Sequence, residues 1–268
     1  LFYTRRNSVY SIRLVAFESA FDYILKKEIK TVKPLPRVLL ITLLLLGLTA
    51  CTGHDKETRQ MTLRERIGNA YGVHYFSQIE QIQYRFNVKI GEKQISRFWI
   101  WEPKLDRVTF KGMNYQEAVT YYRHEIDATA SSALKKVDAW FINDNYWLLF
   151  PFHIAWDTNL AVEDIGRQNL PLGGGKAKCV VITFPASGGY TPGDVYEIYL
   201  NDNSRLLQWV YRHGGSEEPT RVTTWENYRQ AGPLVLSLNR QARDESFRLW
   251  FTGVGVKLVG VDNWMFTE

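Results

Sequence analysis

Covalent cross-linking has little to work with in this chain, which holds two cysteines, Cys51 and Cys179. Cys51 closes an apolar run and takes another role below. Cys179 then has no partner, and no intramolecular disulfide is expected. It sits in AKCVV, a strand pattern, and reads as a buried, inert thiol. Histidine is scarce too. His54, His74, His124, His153 and His213 show no metal-ligand spacing, no H-E-x-x-H and no cysteine cluster, so no metal site is predicted. His153, in the apolar run FPFHIAW, reads as a hydrogen-bonded core residue. There is no G-x-S-x-G. Gly173-Gly174-Gly175 is followed by Lys176-Ala177 and lacks the Lys-Ser/Thr pair of a phosphate loop. Asp194 and Glu197 stand three apart on a strand and so face opposite ways. No catalytic residue and no cofactor is assigned, and the chain is not expected to be an enzyme.

The chain beyond residue 50 also lacks an excess charge of either sign. The chain's formal charge is +5, but residues 1–50 hold eight of its 33 Lys and Arg and only three of its 28 Asp and Glu. The remainder carries 25 of each, so nothing in it favours electrostatic capture of nucleic acid.

Long apolar runs are rare, and the one present is informative. Residues 38–51, VLLITLLLLGLTAC, follow the basic flank Lys30, Lys33 and Arg37. A basic flank, a short apolar stretch and small residues at its end make a secretory signal. The run is shorter than the roughly 20 residues that a spanning helix needs. Residues 1–37 are read as leader and basic n-region. Within them 1–29 are expected to be a misplaced start or a cytosolic extension, absent from the mature protein. Cleavage before Cys51 would leave 218 of the 268 residues. Residues 52–62 are polar and read as a tether. No composition break divides 63–268, which is taken as one domain.

The strand pattern is clearest at 82–90. Ile82, Tyr84, Phe86, Val88 and Ile90 face one way, and Gln83, Arg85, Asn87 and Lys89 the other. Period-two alternation marks a sheet with one dry and one wet face. Further strands are predicted at 95–101, 107–111, 137–143, 146–150, 176–184, 194–200, 205–212, 221–228, 234–239, 247–251 and 255–261. Asp144-Asn145 and residues 201–204 serve as turns. Helices are predicted at 63–71, ended by Gly72, and at 114–124 with Asn114 as cap. Residues 157–168 read as a short helix or loop. The sum is a mainly β fold with inserted helices, about ten or eleven strands in close succession. Such a sheet curls to leave few exposed edges.

Aromatic residues make up 14% of the chain and include nine Trp. They either fill the sheet's interior or line a hollow in it.

The acylation signal Leu48-Thr49-Ala50-Cys51, the stretch IQYRFNVKIGEKQISRFWIWEPKLDRVTFKG (82–112) and the stretch KVDAWFINDNYWLLFPF (136–152) together resemble the LolA/LolB superfamily of bacterial lipoprotein carriers and receptors. The resemblance implies a single curved antiparallel sheet, a half-open barrel with a helical lid over a cavity for acyl chains. It implies lipidation at Cys51, a membrane partner through that anchor, and a lipid or lipoprotein acyl chain as ligand. Thr52 in place of Asp after the cysteine implies the outer membrane, facing the periplasm. The walls of the cavity are expected to include Tyr84, Phe86, Trp99, Trp101, Phe110, Trp140 and Trp147. The alternative is a structural or interaction lipoprotein with a solid core and no ligand.

Overall fold

The first described helix is set by its cap. The computed structural model describes residues 59–112, 117–187 and 191–267. The leader, the apolar run with Cys51, residues 52–58 of the tether and the proposed cap Asn114 lie outside them. Helix α1 (Leu63–Ala70) begins at Thr62, whose side chain accepts from the Glu65 N–H while the Glu65 carboxylate accepts from the Thr62 N–H. This reciprocal pairing satisfies two otherwise orphaned donors. Gly72 ends the helix at φ +83°. A Cβ there would lie 2.5 Å from the Pro233 carbonyl oxygen, so both dihedral and space call for glycine.

A 3-10 turn (Val73–Gln78) leads into the strands β1 (Ile79–Ile90), β2 (Lys93–Glu102), β3 (Arg107–Gly112) and β4 (Val119–Tyr122). Helix α2 (Ser132–Trp156) follows. Then come β5 (Ala161–Asn169), β6 (Lys176–Thr183), β7 (Val195–Leu200), β8 (Leu206–Arg212) and β9 (Arg221–Thr224). The chain ends in β10 (Glu226–Ala231), β11 (Leu234–Gln241), β12 (Phe247–Leu258) and β13 (Met265–Phe266). Hydrogen bonding orders them β5-β6-β7-β8-β9 and β10-β11-β12-β1-β2-β3-β4, with β13 beside β12. Only Trp225 separates β9 from β10, and there the ladder breaks. Thr224 Oγ1 accepts from the Gln241 N–H at 3.1 Å, holding the end of β9 beside β11. The result is the expected large curved antiparallel sheet, not closed into a barrel.

The alternation of β1 appears in large part: Ile82, Tyr84, Phe86 and Val88 are buried, but Asn87, expected on the wet face, is buried too and accepts from the Ser96 hydroxyl at 2.8 Å, while Ile90 is exposed beside the hairpin at Gly91. The turn at residues 201–204 also appears, closed by the Asn201 side chain, which accepts from the N–H of Asn203 and Arg205.

Several local readings are corrected. Residues 137–143 and 146–150 are not a β-hairpin but parts of the single helix α2. Their aromatic and β-branched residues fit a strand locally, but burial on several sides of the helix decides otherwise. Asp144-Asn145 is therefore mid-helix, not a turn. Residues 114–124, where described, are not helical but contain β4 and a 3-10 turn (Arg123–Glu125). The Thr109 and Thr120 hydroxyls, 2.9 Å apart, pair β4 to β3. Residues 157–168 run largely in β5. It is an edge strand without a buried face, so it carries no alternation to read. Residues 221–228 are two strands, and 247–251 and 255–261 largely one, β12, which passes through an irregular register at Gly253.

Pro151 marks the bend in α2. It has no N–H to give the Trp147 carbonyl four residues back, and Leu149 departs from helical dihedrals (φ −111°, ψ 20°). Arg240 of β11 supplies the missing donor: its Nη2 lies 2.9 Å from the Trp147 oxygen. The end of the helix is held by Arg64 of α1, which donates to the carbonyls of Asp157 and Leu160. No helix among the described residues is long and apolar enough to cross a membrane.

Candidate functional site

Helix α2 meets the sheet in two different ways. Along its first half the contact is ionic and closed. Asp144 accepts from Arg97 Nε and Nη2 at 2.7 and 2.6 Å, and from Trp99 Nε1 at 2.9 Å. Asp138 accepts from Arg123 Nε at 2.8 Å and from the Tyr121 hydroxyl at 3.2 Å. Between these anchors the rings are packed: Trp99 lies 4.6 Å from Phe110 and 5.5 Å from Phe141, and Trp101 lies 5.8 Å from Phe141.

Along its other flank α2 leaves a cleft of about 260 Å³. Ala139, Ile142, Asn143, Tyr146, Trp147 and Phe150 form the helix side, and Thr191, Tyr196, Trp209 and Tyr211 the other. Phe150 lies 4.9 Å from Tyr196 and 5.2 Å from Trp209. Tyr196 stacks on Tyr211 at 4.9 Å, and Trp147 sits edge-on to Trp209 at 4.6 Å. A second depression, of about 390 Å³, lies between the start of β9 at Arg221 and the turn that holds Arg243 and Asp244.

The seven residues expected to line a hollow divide between these regions. Tyr84, Phe86, Trp99 and Phe110 are fully buried; Trp101 and Trp140 are half-buried and belong to the same packed half. Trp147 alone of the seven borders the cleft. Tyr196, Trp209 and Tyr211 were not singled out from the sequence. Their signal was present as same-face spacing, Tyr196 with Ile198 and Trp209 with Tyr211, on strands that pair with each other.

Among the described residues no group of three or more His, Cys, Asp or Glu could hold a metal. The fold brings one imidazole to a buried acid at the rim of the cleft. His213 Nδ1 lies 3.2 Å from Asp194, and the Tyr211 hydroxyl is 3.0 Å from each of them. Asp194 also accepts from the Gly214 N–H at 2.7 Å. These contacts tie a tight loop to the sheet, and the His213 side chain is 76% exposed. Cys179 is buried, and burial pushes its thiol up to about 11, consistent with an unreactive core residue.

His153 behaves as a core histidine. It stacks on Tyr146 at 3.8 Å and bonds to Asn145 Oδ1 at 3.0 Å. Burial pushes its pKa down to about 3. The residue as a whole is half-buried, so part of that penalty is relieved. A histidine kept neutral in the fold binds its proton first in the unfolded chain. Stability is therefore present above the unfolded pKa of roughly 6.5 and is lost as pH falls toward 3. Urea unfolding at pH 7 and pH 5 should differ by about 1 kcal/mol from this residue, and His153→Gln should remove that difference. An unchanged difference in the variant would show that another group is responsible.

No family model matches the chain, and no curated protein matches it. Among solved structures it is similar to a DUF1329 family protein from Desulfovibrio piger, at 11% identity and a TM-score of 0.41, over 75% of this chain and 92% of that one. It is also similar to a putative outer membrane lipoprotein-sorting protein domain from Vibrio parahaemolyticus, at 10% identity and a TM-score of 0.38, over 72% of this chain and 89% of that one.

Proposed function

We propose that this chain is a lipid-anchored cell-envelope protein that binds a hydrophobic ligand, an acyl chain, in the cleft between α2 and strands β7 and β8. The observation that carries the reading is the ring-lined cleft of about 260 Å³ between α2 and the sheet. Its size is just under the roughly 300–1,000 Å³ of ordinary small-molecule sites. That suits a single chain better than the several acyl groups of a whole lipoprotein. Burying about eight methylenes contributes on the order of 6 kcal/mol before the entropy of binding is subtracted. Binding of this kind needs no reactive group, so the proposed role is carriage or sensing, without catalysis. The signal at residues 38–51 supports anchoring at Cys51, with the outer membrane facing the periplasm as the proposed site and the membrane as partner. The balanced charge of the exported part supports no nucleic-acid role.

The alternative, a scaffold lipoprotein with a solid core, draws on the packed half around Trp99. A cleft-filling variant separates the two. Ala139 is an exposed residue on the helix side of the cleft. Ala139→Trp should fill the space without removing a core contact. Native mass spectrometry of the full chain should show a co-purifying acyl mass, lost in Ala139→Trp at unchanged melting temperature. A clean apo mass for both proteins, with no uptake of a fluorescent fatty acid, would favour the scaffold. Membrane fractionation of Cys51→Ala tests the anchor separately.

A further inference from the structure

The interior holds a cation without an acid. Arg240 is fully buried, and no carboxylate among the described residues pairs with it. Its Nη1 donates to the Ser237 carbonyl at 2.6 Å and hydroxyl at 3.1 Å, and its Nη2 to the Trp147 carbonyl. Its guanidinium carbon lies 3.7 Å over the ring of Trp225. Neutral acceptors and a ring face solvate the charge but do not balance it, and an unbalanced buried charge is held at a cost.

The same place gathers unused donors. Seven buried side-chain polar atoms have no partner among the described residues, and four of them belong to Arg240 (Nε), Trp209 (Nε1), Trp225 (Nε1) and Thr223 (Oγ1). Thr223 pairs with Trp209 across β8 and β9, and Trp225 packs 5.4 Å from Trp209. Native interiors leave few such groups, and each calls for an explanation. Water could accept from the neutral donors but would leave the guanidinium uncompensated. The cluster adjoins the cleft. Trp209 belongs to both, and Trp147, whose carbonyl holds Arg240, also lines the cleft.

We infer that the cleft takes a single-chain amphiphile with an anionic head, carboxylate or phosphate, whose oxygens accept from Arg240, Trp209 and Trp225 while its chain lies along Phe150, Tyr196 and Tyr211. The inference rests on the acyl-binding reading above and adds the head group and its polarity. A charged acceptor on a guanidinium makes the strong class of hydrogen bond and neutralises the buried charge in one step. Arg240 and Trp225 do not line the cleft themselves, so the rings that separate them from it must shift for the head to bind.

The test uses the full chain in phosphatidylcholine nanodiscs, irradiated with a diazirine analogue of dodecanoic acid. Labelled peptides are mapped by mass spectrometry. Dodecanoic acid, dodecyl phosphate and dodecanol serve as competitors with one chain and three heads. Labelling is expected on peptides of α2, β7 and β8, displaced by an anionic competitor at about one tenth or less of the dodecanol concentration. Whichever anion displaces better identifies carboxylate or phosphate as the head. Arg240→Met should level the three competitors, and Arg240→Lys should keep the anionic preference. Trp209→Phe keeps the ring, loses one donor and should weaken the preference. If Arg240→Met does not fold, the ranking on the unaltered chain decides. Equal displacement by dodecanol overturns the head-group inference and leaves the apolar cleft standing. No labelling of these peptides overturns both.

Discussion

Asp144→Ala should lower the unfolding free energy by about 3–5 kcal/mol, because it strands a buried cation. Asp144 has no exposed surface and accepts four side-chain hydrogen bonds, two from Arg97, one from Trp99 and one from Asn143. The Arg97 side chain is itself 11% exposed, so water cannot readily replace the carboxylate. The loss therefore exceeds what an exposed ion pair would give, roughly 0–1 kcal/mol. Removing both charges together should cost much less. Arg97 lies over the rings of Phe86 and Trp140, so methionine at 97 would keep apolar contacts with them. The double variant Asp144→Leu with Arg97→Met should recover most of the stability, as buried pairs replaced by apolar groups commonly do. Denaturant unfolding of the unaltered chain, Asp144→Leu, Arg97→Met and the double variant closes a double-mutant cycle and measures the coupling. A single-variant loss below about 1 kcal/mol would mean that this pair does not hold α2 to β2.

Phe150→Ala should cost a similar amount, about 3–5 kcal/mol, by a different mechanism. The ring is buried and contacts Tyr196, Trp209 and, at 6.3 Å, Trp225. Truncation removes that apolar burial and leaves a space that the flanking β7 and β8 cannot fill without moving. For a domain of this size the melting temperature should fall by roughly 6–20 °C. The vacated space borders the cleft, so uptake of an acyl chain should be kept or rise while stability falls. Loss of stability without this asymmetry would show that the space collapses and that the cleft is not preorganised. The two substitutions probe opposite flanks of one helix: Asp144 the side that is locked, Phe150 the side that is open.

The β meander was legible because its strands are wet on one face. In β1 the residues at 82, 84, 86 and 88 point inward and Gln83 and Arg85 do not, and water enforces that distinction locally. Helix α2 was not legible for the opposite reason. Val137, Phe141, Ile142, Leu148, Leu149, Phe150, Phe152 and Ile154 are buried on several sides of the helix, and a segment dry around much of its girth has no clear period to read. Asp144-Asn145 resembled a turn because their partners lie away from them along the chain, Arg97 47 residues back and His153 eight residues on, about two helical turns. The expected lining residues were read as one set, yet six of seven belong to the packed half. Which half stays open depends on where Asp138 and Asp144 find their cations.

By itself the sequence determined the class of fold, the places of most strands and tight turns, and the equal count of basic and acidic residues in 51–268, none of which needs a contact between distant parts of the chain. The tertiary structure alone decided that residues 132–156 are one helix, that Arg240 takes the carbonyl freed by Pro151, and that the cleft faces β7 and β8. Those outcomes depend on contacts between residues tens of positions apart. Such contacts exist only once the sheet has curled, and they override local preference because burial of a whole helix outweighs the propensity of its parts.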